Sequence, residues 1–280
     1  MVHLRAHDVS LRYRILESRP AAKARIGSEL GAKIDFENRT VDALKHVSLD
    51  LGPGDRLALI GKNGGGKSTL LNILAGILDP TTGHVDSEGD ISAIFNIGLG
   101  IRRDSTGLKN IEIRCLMAGL DKAQTRDVVD NVIEFAELGD YLHLPVRLYS
   151  SGMSMRLNFA LSTAIHSDIL LLDEWIGTGD TAFREKVAAR MDGFVGQTNI
   201  VVLASHSLSI LRRVCNKAIW LDRGEVRGSG DIETVANAYH EFVTGKMHYT
   251  EQKKRKTAEE QPEGTTGTAV RGAPTQVRPS

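Results

Sequence analysis

The sequence predicts a predominantly α/β domain over residues 1–245. Short apolar runs alternate with segments of helical periodicity, a pattern typical of α/β proteins. The runs at 169–172 and 199–204 are apolar on both faces, as buried parallel strands are. A glycine-rich loop at 61–66 joins an apolar run to a helical segment. A chain of 280 residues is long enough for one large domain of this class.

The predicted elements follow in order along the chain. Strands are predicted where apolar positions cluster, at 2–11, 44–51, 57–60, 169–172 and 199–204. Helices are predicted at 68–78, at 153–165 and, as two stretches separated by Gly119-Leu120-Asp121, over 108–137. We interpret about 104–165 as an inserted helical subdomain. Residues 218–227 predict a hairpin that turns at Arg223-Gly224.

Composition and charge narrow the class of function. Lys plus Arg and Asp plus Glu number 35 each, so the net charge is zero, whereas a nucleic-acid binder usually shows a basic surplus. No apolar run approaches the ~20 residues of a membrane helix, and the first residues lack the apolar core of a secretory signal. The two cysteines, Cys115 and Cys215, fit a reducing compartment. We therefore expect a cytosolic protein with no nucleic-acid partner.

The composition changes after about residue 245. Residues 246–280 are rich in Lys, Glu, Thr, Gly and Pro and poor in large aliphatic residues, which predicts a disordered tail. The basic run at 253–256 is interpreted as solvated, with contact to anionic lipid or nucleic acid as the alternative.

The glycine-rich loop has the pattern of a phosphate-binding loop. Residues 61–69 read G-x-x-x-x-G-K-S-T between a predicted strand and a predicted helix, which is the context that the motif needs. Its glycines let backbone N–H groups turn towards phosphates, and the helix N-terminus adds positive charge. Lys67 supplies a point charge and the Ser68 hydroxyl is placed to bind Mg²⁺. The residues predicted to bind a nucleoside triphosphate are Gly61, Asn63, Gly64, Gly65, Gly66, Lys67, Ser68 and Thr69.

Two carboxylates follow the apolar run at 169–172. We expect Asp173 near Mg²⁺, and Glu174 as the general base that takes a proton from the attacking water. Acidic pairs are common at strand ends, so this interpretation depends on the phosphate loop in the same chain. The expected cofactors are ATP and Mg²⁺.

A run of small residues precedes the helix predicted at 153–165. Ser150, Ser151 and Gly152 leave backbone N–H groups available at the helix N-terminus, which favours an anion site. An ordinary serine N-cap is the alternative interpretation. Ser150 lies 23 residues before Asp173.

The order of these motifs resembles that of the nucleotide-binding subunits of ABC transporters, over roughly residues 1–243. The phosphate loop, the helical insert, the Y-S-S-G-M segment at 149–153, the acid pair, a loop ending at Asp180 and His206 after a strand occur in the family's order. The resemblance implies a P-loop ABC ATPase fold with an antiparallel β subdomain, a RecA-like core and an inserted helical subdomain.

The resemblance also implies how the site is completed. In this family the signature loop, here Ser150 to Gly152, closes over the γ-phosphate held by the other subunit, so a head-to-tail homodimer is expected. His206 would sense the γ-phosphate, and Asp180 would carry contact across the interface. The catalytic residues are then expected to be Lys67, Glu174 and His206.

The sequence departs from the family's common pattern in three places. The signature reads Y-S-S-G-M instead of L-S-G-G-Q, Asn96 stands near the usual loop glutamine, and the loop after Glu174 ends G-T-G-D instead of S-A-L-D. Together with the T-G-x-x-N-I stretch at 106–111, these departures resemble exporters of O-antigen, teichoic acid and capsule-like polysaccharides. The metal ligands expected from the resemblance are Ser68, Asn96 and Asp173.

The implied function is that of the ATP-hydrolysing motor subunit of an exporter that moves a lipid-linked polysaccharide across the cytoplasmic membrane. The expected partners are a second copy of the chain, a polytopic membrane permease and, through that permease, the glycan. The expected location is the cytoplasmic face of the inner membrane, as a peripheral subunit. Residues 246–280 are too few for the C-terminal glycan-binding domain that some members carry.

Three alternative functions are weighed against export. The chain could serve an importer or a drug or lipid exporter. It could instead be a soluble ABC ATPase of DNA repair, although it has no sustained heptads, or of translation, although it has one such domain and not two.

Two further assignments rest on less specific patterns. Tyr13 is expected to stack on the adenine ring, with Phe36 or His46 as alternatives. An N-terminal insertion is expected over about 18–40. Within it, residues 18–36 carry a short apolar stripe, and we interpret them as a transport element near the membrane, with a solvated loop as the alternative.

Overall fold

The computed structural model describes residues 1–14, 33–35, 39–94, 101–174 and 181–245. The chain divides into two compact units. Unit 1 comprises Met1–His3, Gly52–Gly54 and Ser87–Val201, and unit 2 comprises Leu4–Leu51, Asp55–Asp86 and Val202–Ser280. Asn96, Asp180, Phe36, most of the predicted insertion and the tail at 246–280 lie outside the described residues.

Ten strands and seven α-helices form in the described part of the chain. The strands are β1 (His3–Arg14), β2 (Lys33–Asp35), β3 (Thr40–Leu51), β4 (Arg56–Ile60), β5 (Thr82–Glu88), β6 (Ile91–Ile94), β7 (Ile169–Asp173), β8 (Ile200–Ala204), β9 (Lys217–Asp222) and β10 (Glu225–Asp231). The helices are α1 (Lys67–Leu74), α2 (Gly107–Met117), α3 (Lys122–Ala136), α4 (Ser151–Ala164), α5 (Thr181–Gln197), α6 (Leu208–Val214) and α7 (Ile232–Val243). None of these helices is both long and apolar enough to cross a membrane.

An antiparallel sheet begins unit 2. Its strand order is β2-β3-β1-β5, and Leu4 of β1 pairs with Leu51 of β3. Alternate residues of β1 are buried at its start, as a strand with one face on a core requires. The chain within the predicted insertion returns to this sheet as β2, which pairs with β3. A strand at 33–35 was not part of the prediction for that segment.

The strand that leads to the phosphate loop, β4, is buried except for its first residue, Arg56. In unit 2, β4 pairs in parallel with β9, and β9 pairs with β10 through the predicted hairpin. Arg223 and Gly224 both have positive φ, 51° and 79°, as the tight turn of a two-residue hairpin requires. The boundary between the units falls within β8, whose five residues are all buried.

Unit 1 contains the predicted helical segment. Helices α2, α3 and α4 lie within the range 104–165, and two short 3₁₀ helices, Gly139–His143 and Val146–Leu148, connect α3 to α4. Asp121, at the predicted break, caps α3 together with Gln124 in a reciprocal capping box. In the same unit β6 pairs in parallel with β7, every residue of which is buried except Asp173.

One side chain ties the last helices of unit 1 together. The Arg190 guanidinium of α5 donates to Thr163 Oγ1 at 2.6 Å and to Asn131 Oδ1 at 2.5 Å, and it lies over the ring of Phe135. Burial lowers the pKa of Arg190 from its ordinary value, and an arginine stays charged at every physiological pH. Helices α3, α4 and α5 therefore share one polar junction.

Candidate functional site

The predicted phosphate loop lies between β4 and α1, as the motif requires. Gly61 follows the last residue of β4, and Gly66 is the N-cap of α1. No side chain caps this helix, so its first backbone N–H groups are presented without a side-chain acceptor. Gly61, Gly65 and Lys67 are buried, whereas Asn63, Gly64 and Ser68 are exposed and Thr69 is half-buried. This arrangement suits an anion at the helix N-terminus.

The Lys67 ammonium lies over the loop that precedes it. Its side chain is only 7% exposed, and Nζ donates to the carbonyl oxygens of Gly61 at 2.8 Å and Lys62 at 3.1 Å. The carbonyl of Lys62 also accepts from the N–H of Gly65 at 3.1 Å, which closes the turn of the loop. The positive charge is therefore held inside the curve of the loop, where phosphate oxygens are expected.

The β9–β10 turn braces the phosphate loop, a contact that sequence reasoning missed. The N–H of Gly224 donates to the carbonyl of Gly65 at 3.1 Å, and its own carbonyl accepts from the N–H of Lys45 at 2.8 Å. A Cβ at position 224 would lie 2.6 Å from the carbonyl oxygen of Ala43, so no larger residue fits. The Arg223-Gly224 turn was recognised in the sequence, but nothing in the sequence indicated what it contacts.

The last described helix also contacts the phosphate loop. The Lys62 ammonium lies 5.4 Å from the ring centre of Phe242 in α7. Phe242 in turn packs on Trp220, with 5.0 Å between ring centres, and Trp220 pairs with Ile60 at the end of β4. An aromatic cluster thus supports the loop from the side of α7, which the sequence did not predict.

His206 follows β8, two residues beyond the end of the strand. The residue Gly54 ahead of β4 donates its N–H to the carbonyl of Asn199 ahead of β8, at 2.8 Å, so the two strands begin at the same edge. Gly61 and His206 follow the carboxyl ends of β4 and β8, so both residues lie at the opposite edge of the sheet. The His206 side chain is exposed.

Tyr13 lies near the end of β1, opposite Val41 of β3. A Cβ at Gly66 would lie 2.8 Å from Cδ2 of Leu44, so β3 passes directly beside the phosphate loop. The Tyr13 side chain is 43% exposed, which leaves its ring accessible. His46, the described alternative, has its Nδ1 atom 2.9 Å from Oδ1 of Asp8.

The acid pair belongs to unit 1. Asp173 is the last residue of β7 and is half-buried, and Glu174 follows it with an exposed side chain. Glu174 has φ of 66°, the left-handed region that residues other than glycine rarely adopt. Such backbone strain persists only where the surrounding structure imposes it, and it is enriched at active sites.

The signature segment forms the start of α4 in unit 1. The Ser150 hydroxyl accepts from the N–H of Met153 at 3.2 Å, so Ser150 is the helix N-cap that had been the alternative interpretation. Ser151 and Gly152 are the first two helical residues, and both are exposed. The cap uses the N–H of Met153, and Ser151 and Gly152 precede it on the exposed first turn of the helix.

A family model described as ABC transporter matches residues 44–177, which include the phosphate loop, the signature segment and the acid pair. The O-antigen export system ATP-binding protein RfbE of Yersinia enterocolitica is 42% identical over 219 residues, covering 78% of this chain and 89% of that protein. The chain belongs to the ABC transporter ATP-binding family. This membership confirms the predicted fold class and the predicted ATPase, and the ATP-binding domain of the family binds adenine nucleotides.

Other relatives are longer than this chain. The teichoic acids export ATP-binding protein TagH of Bacillus anthracis is 39% identical over 201 residues, which cover 72% of this chain and 36% of that protein. The O-antigen export system ATP-binding protein RfbB of Myxococcus xanthus is 40% identical over 204 residues, 73% of this chain and 47% of that protein. The chain therefore spans less than half of either relative.

Solved structures support the fold. A structure of the ATP-binding subunit of an ABC transporter superposes with a TM-score of 0.64 at 19% identity, covering 85% of this chain and 93% of the other. The ATP-binding cassette MJ0796, in a dimeric post-hydrolysis state bound to ADP and Pi, superposes with a TM-score of 0.61 at 22% identity, covering 82% and 98%. At these identities the likeness shows the shared fold.

Proposed function

We propose that this chain is the ATP-hydrolysing motor subunit of an exporter that moves a lipid-linked polysaccharide of O-antigen or teichoic-acid type across the cytoplasmic membrane. The observation that carries the proposal is the 42% identity to an O-antigen export subunit over 89% of that protein's length. The partners are a second copy of the chain, arranged head to tail, and a membrane permease. The chain would act at the cytoplasmic face of the inner membrane.

The phosphate loop would hold the β- and γ-phosphates of ATP. The uncapped N-terminus of α1 and the Lys67 ammonium, which is already directed into the loop, fit an anion there. Tyr13 would stack on the adenine ring, because its side chain is accessible on the sheet that passes beside the loop. His206 would contact the γ-phosphate from the end of β8.

The residues present also suit Mg²⁺. Ser68, on the exposed first turn of α1, and the half-buried carboxylate of Asp173 offer the hard oxygen donors that Mg²⁺ prefers, and Asn96 is the third proposed ligand. When bound, Mg²⁺ neutralises charge on the phosphate oxygens. The Glu174 carboxylate would take a proton from the water that attacks the γ-phosphorus. The strained backbone at Glu174 supports that role.

Two substitutions separate binding from hydrolysis. Lys67→Ala should abolish tight ATP binding, because the phosphate charge loses its partner. Glu174→Gln should keep ATP binding and lower hydrolysis at least 100-fold, because an amide takes no proton from water. Glu185→Gln, an exposed acid on α5, is the matched control and should behave as wild type. Hydrolysis near the wild-type rate in Glu174→Gln would remove Glu174 from the role of base.

Export is tested in cells that depend on this chain for their surface polysaccharide. Glu174→Gln should leave the glycan inside the cell, detected as loss of surface labelling by a lectin or antibody. Glu185→Gln should restore the surface label. Normal surface glycan in the Glu174→Gln strain, with hydrolysis abolished in the purified protein, would assign the chain to another substrate.

A further inference from the structure

Two stretches that resemble the polysaccharide exporters lie against each other in unit 1. The T-G-x-x-N-I stretch begins α2, and the Y-S-S-G-M signature begins α4. The segments just before them are joined through the backbone: Val146 N–H donates to the carbonyl of Ser105 at 3.0 Å, and Arg147 N–H donates to that of Arg103 at 2.8 Å. The two stretches are far apart in the sequence, but in the structure they form one junction.

The hydroxyl of Tyr149 lies at the centre of this junction. It donates to the backbone carbonyl of Tyr141 at 2.7 Å, and it packs against Gly107, where the hydroxyl oxygen leaves no room for a Cβ. Burial raises the pKa of Tyr149 above its ordinary value, so the group stays a neutral phenol that can both donate and accept. The hydroxyl is therefore hydrogen-bonded to the 3₁₀ helix that follows α3 and packs against the first residue of α2.

The glycine of the T-G-x-x-N-I stretch is required by this tyrosine. A Cβ at Gly107 would overlap the Tyr149 hydroxyl and lie 2.9 Å from Cδ2 of Leu142. Thr106 caps α2 by accepting from the N–H of Lys109 at 3.1 Å. The side chain of the buried Asn110 accepts from the N–H of Arg102 at 2.7 Å. These hydrogen bonds order the T-G-x-x-N-I stretch, and the Tyr149 hydroxyl packs against its glycine.

Tyr149 is covalently bonded to Ser150, the first residue of the signature loop. Ser150 follows it in the chain and caps α4, so any displacement of Tyr149 moves that cap and the N–H groups of Ser151 and Gly152 with it. The hydrogen bond from the Tyr149 hydroxyl to the Tyr141 carbonyl is a side-chain anchor immediately ahead of these groups.

We propose that Tyr149 is a positioning residue for the signature loop, which it holds through the hydrogen bond of its hydroxyl to the Tyr141 carbonyl and through its close packing on Gly107. This inference rests on the proposed function, in which Ser151 and Gly152 of one copy close over the γ-phosphate held by the other. A loosened anchor then impairs closure of the composite site while the phosphate loop of each copy still binds ATP. We therefore expect kcat for ATP hydrolysis to fall while the dissociation constant for ATP stays the same.

The test is Tyr149→Phe, which keeps the ring and removes only the hydroxyl. The Tyr141 carbonyl then loses its hydrogen-bond donor. We expect kcat for ATP hydrolysis to fall about 5- to 10-fold, the dissociation constant for ATP to stay within about twofold, and the melting temperature to stay within a few degrees. Tyr141→Phe is the matched control, because that side chain is 52% exposed and the acceptor at this residue is its backbone carbonyl. It should hydrolyse ATP within twofold of wild type.

The outcomes separate this inference from the proposed function. A wild-type chain that hydrolyses ATP, together with Tyr149→Phe at the same kcat, would overturn the positioning role alone. Equal losses of kcat in Tyr149→Phe and Tyr141→Phe would also overturn it. A purified wild-type chain that binds no ATP would overturn the proposed function first. A second readout is the ATP-induced dimer of Glu174→Gln, which should weaken at least fivefold when Tyr149→Phe is added.

Discussion

The ammonium of Lys62 lies 5.4 Å from the centre of the Phe242 ring, and this contact connects the phosphate loop to α7. The backbone carbonyl of Lys62 accepts hydrogen bonds from the N–H of Gly65 and from the ammonium of Lys67. The side chain and the carbonyl of Lys62 therefore link the last described helix to the curve of the loop. Phe242 in turn packs on Trp220 beside β4, so the contact between Lys62 and Phe242 is an anchor supported by the sheet.

Loss of this anchor should weaken nucleotide binding. Phe242→Leu removes the ring and Lys62→Met removes the charge, and each should raise the dissociation constant for ATP about two- to fivefold, since a cation–π contact at an exposed site is worth ~0.5–1 kcal/mol. Titration calorimetry of both variants and their combination measures the coupling. Tyr239→Leu, an aromatic of α7 that packs on Trp220, is the control. Fully additive effects would show that the two side chains act independently.

ATP should drive dimerisation of the hydrolysis-deficient chain. Each composite site draws on two copies, so nucleotide bound at both halves shifts the association equilibrium by mass action, in a two-fold symmetric pair. Sedimentation of Glu174→Gln should show a monomer without nucleotide and a dimer with Mg-ATP. Glu185→Gln, which keeps turnover, should dimerise only transiently. A Glu174→Gln chain that stays monomeric at saturating ATP, beside a fully active wild type, would contradict the head-to-tail arrangement.

Stability should fall at alkaline pH through Cys215. Burial raises the pKa of this thiol to about 12, and its residue is only 6% exposed. The thiol of an unfolded chain ionises near pH 8.5, so above that value the unfolded state loses a proton that the folded state keeps. The free energy of unfolding should therefore decrease with rising pH between about 9 and 12, by up to ~1.4 kcal/mol per pH unit from this group.

The contribution of Cys215 is isolated by comparison with Cys215→Ala. Urea titrations at pH 8, 9 and 10 should give a steeper decline for the wild type than for the variant. Cys115, Tyr149 and Tyr239 also have raised pKa values from burial, and they contribute equally to both proteins. Parallel declines would mean that the Cys215 thiol ionises in the folded state.

The N-terminal insertion should be needed for export and not for ATP chemistry. The stripe Ala22, Ile26 and Leu30 predicts a short amphipathic segment suited to a lipid surface. A Gly-Ser linker in place of 19–32 retains β2, which begins at Lys33 and pairs with β3. The dissociation constant for ATP should remain within twofold while surface glycan falls severalfold. Unchanged export at normal protein levels would identify the segment as a solvated loop.

Local patterns in the sequence determined most of the elements. The β9–β10 turn, the break between α2 and α3, and the phosphate loop between β4 and α1 all lie where the sequence predicts them, because turn residues and hydrophobic periodicity act over a few neighbouring positions. Boundaries differed by a few residues: the first strand extends to Arg14, and α1 ends at Leu74, short of the predicted 78. Strands β2, β5 and β6 and helices α5, α6 and α7 are absent from the prediction; β2, with three residues, carries too little periodicity to be recognised.

Only the tertiary structure decided how the separate motifs depend on one another. The sequence identified Lys67, Ser150 and Glu174 by the chemistry of their motifs, but it contains no sign that Gly224 braces the phosphate loop or that Phe242 lies over Lys62. It also gave no sign that Tyr149 and Gly107 touch, although the Tyr149 hydroxyl packs against this glycine. The physical reason is that these contacts connect residues from 42 to 180 positions apart, and such pairs are set by the packing of whole elements and leave no local pattern.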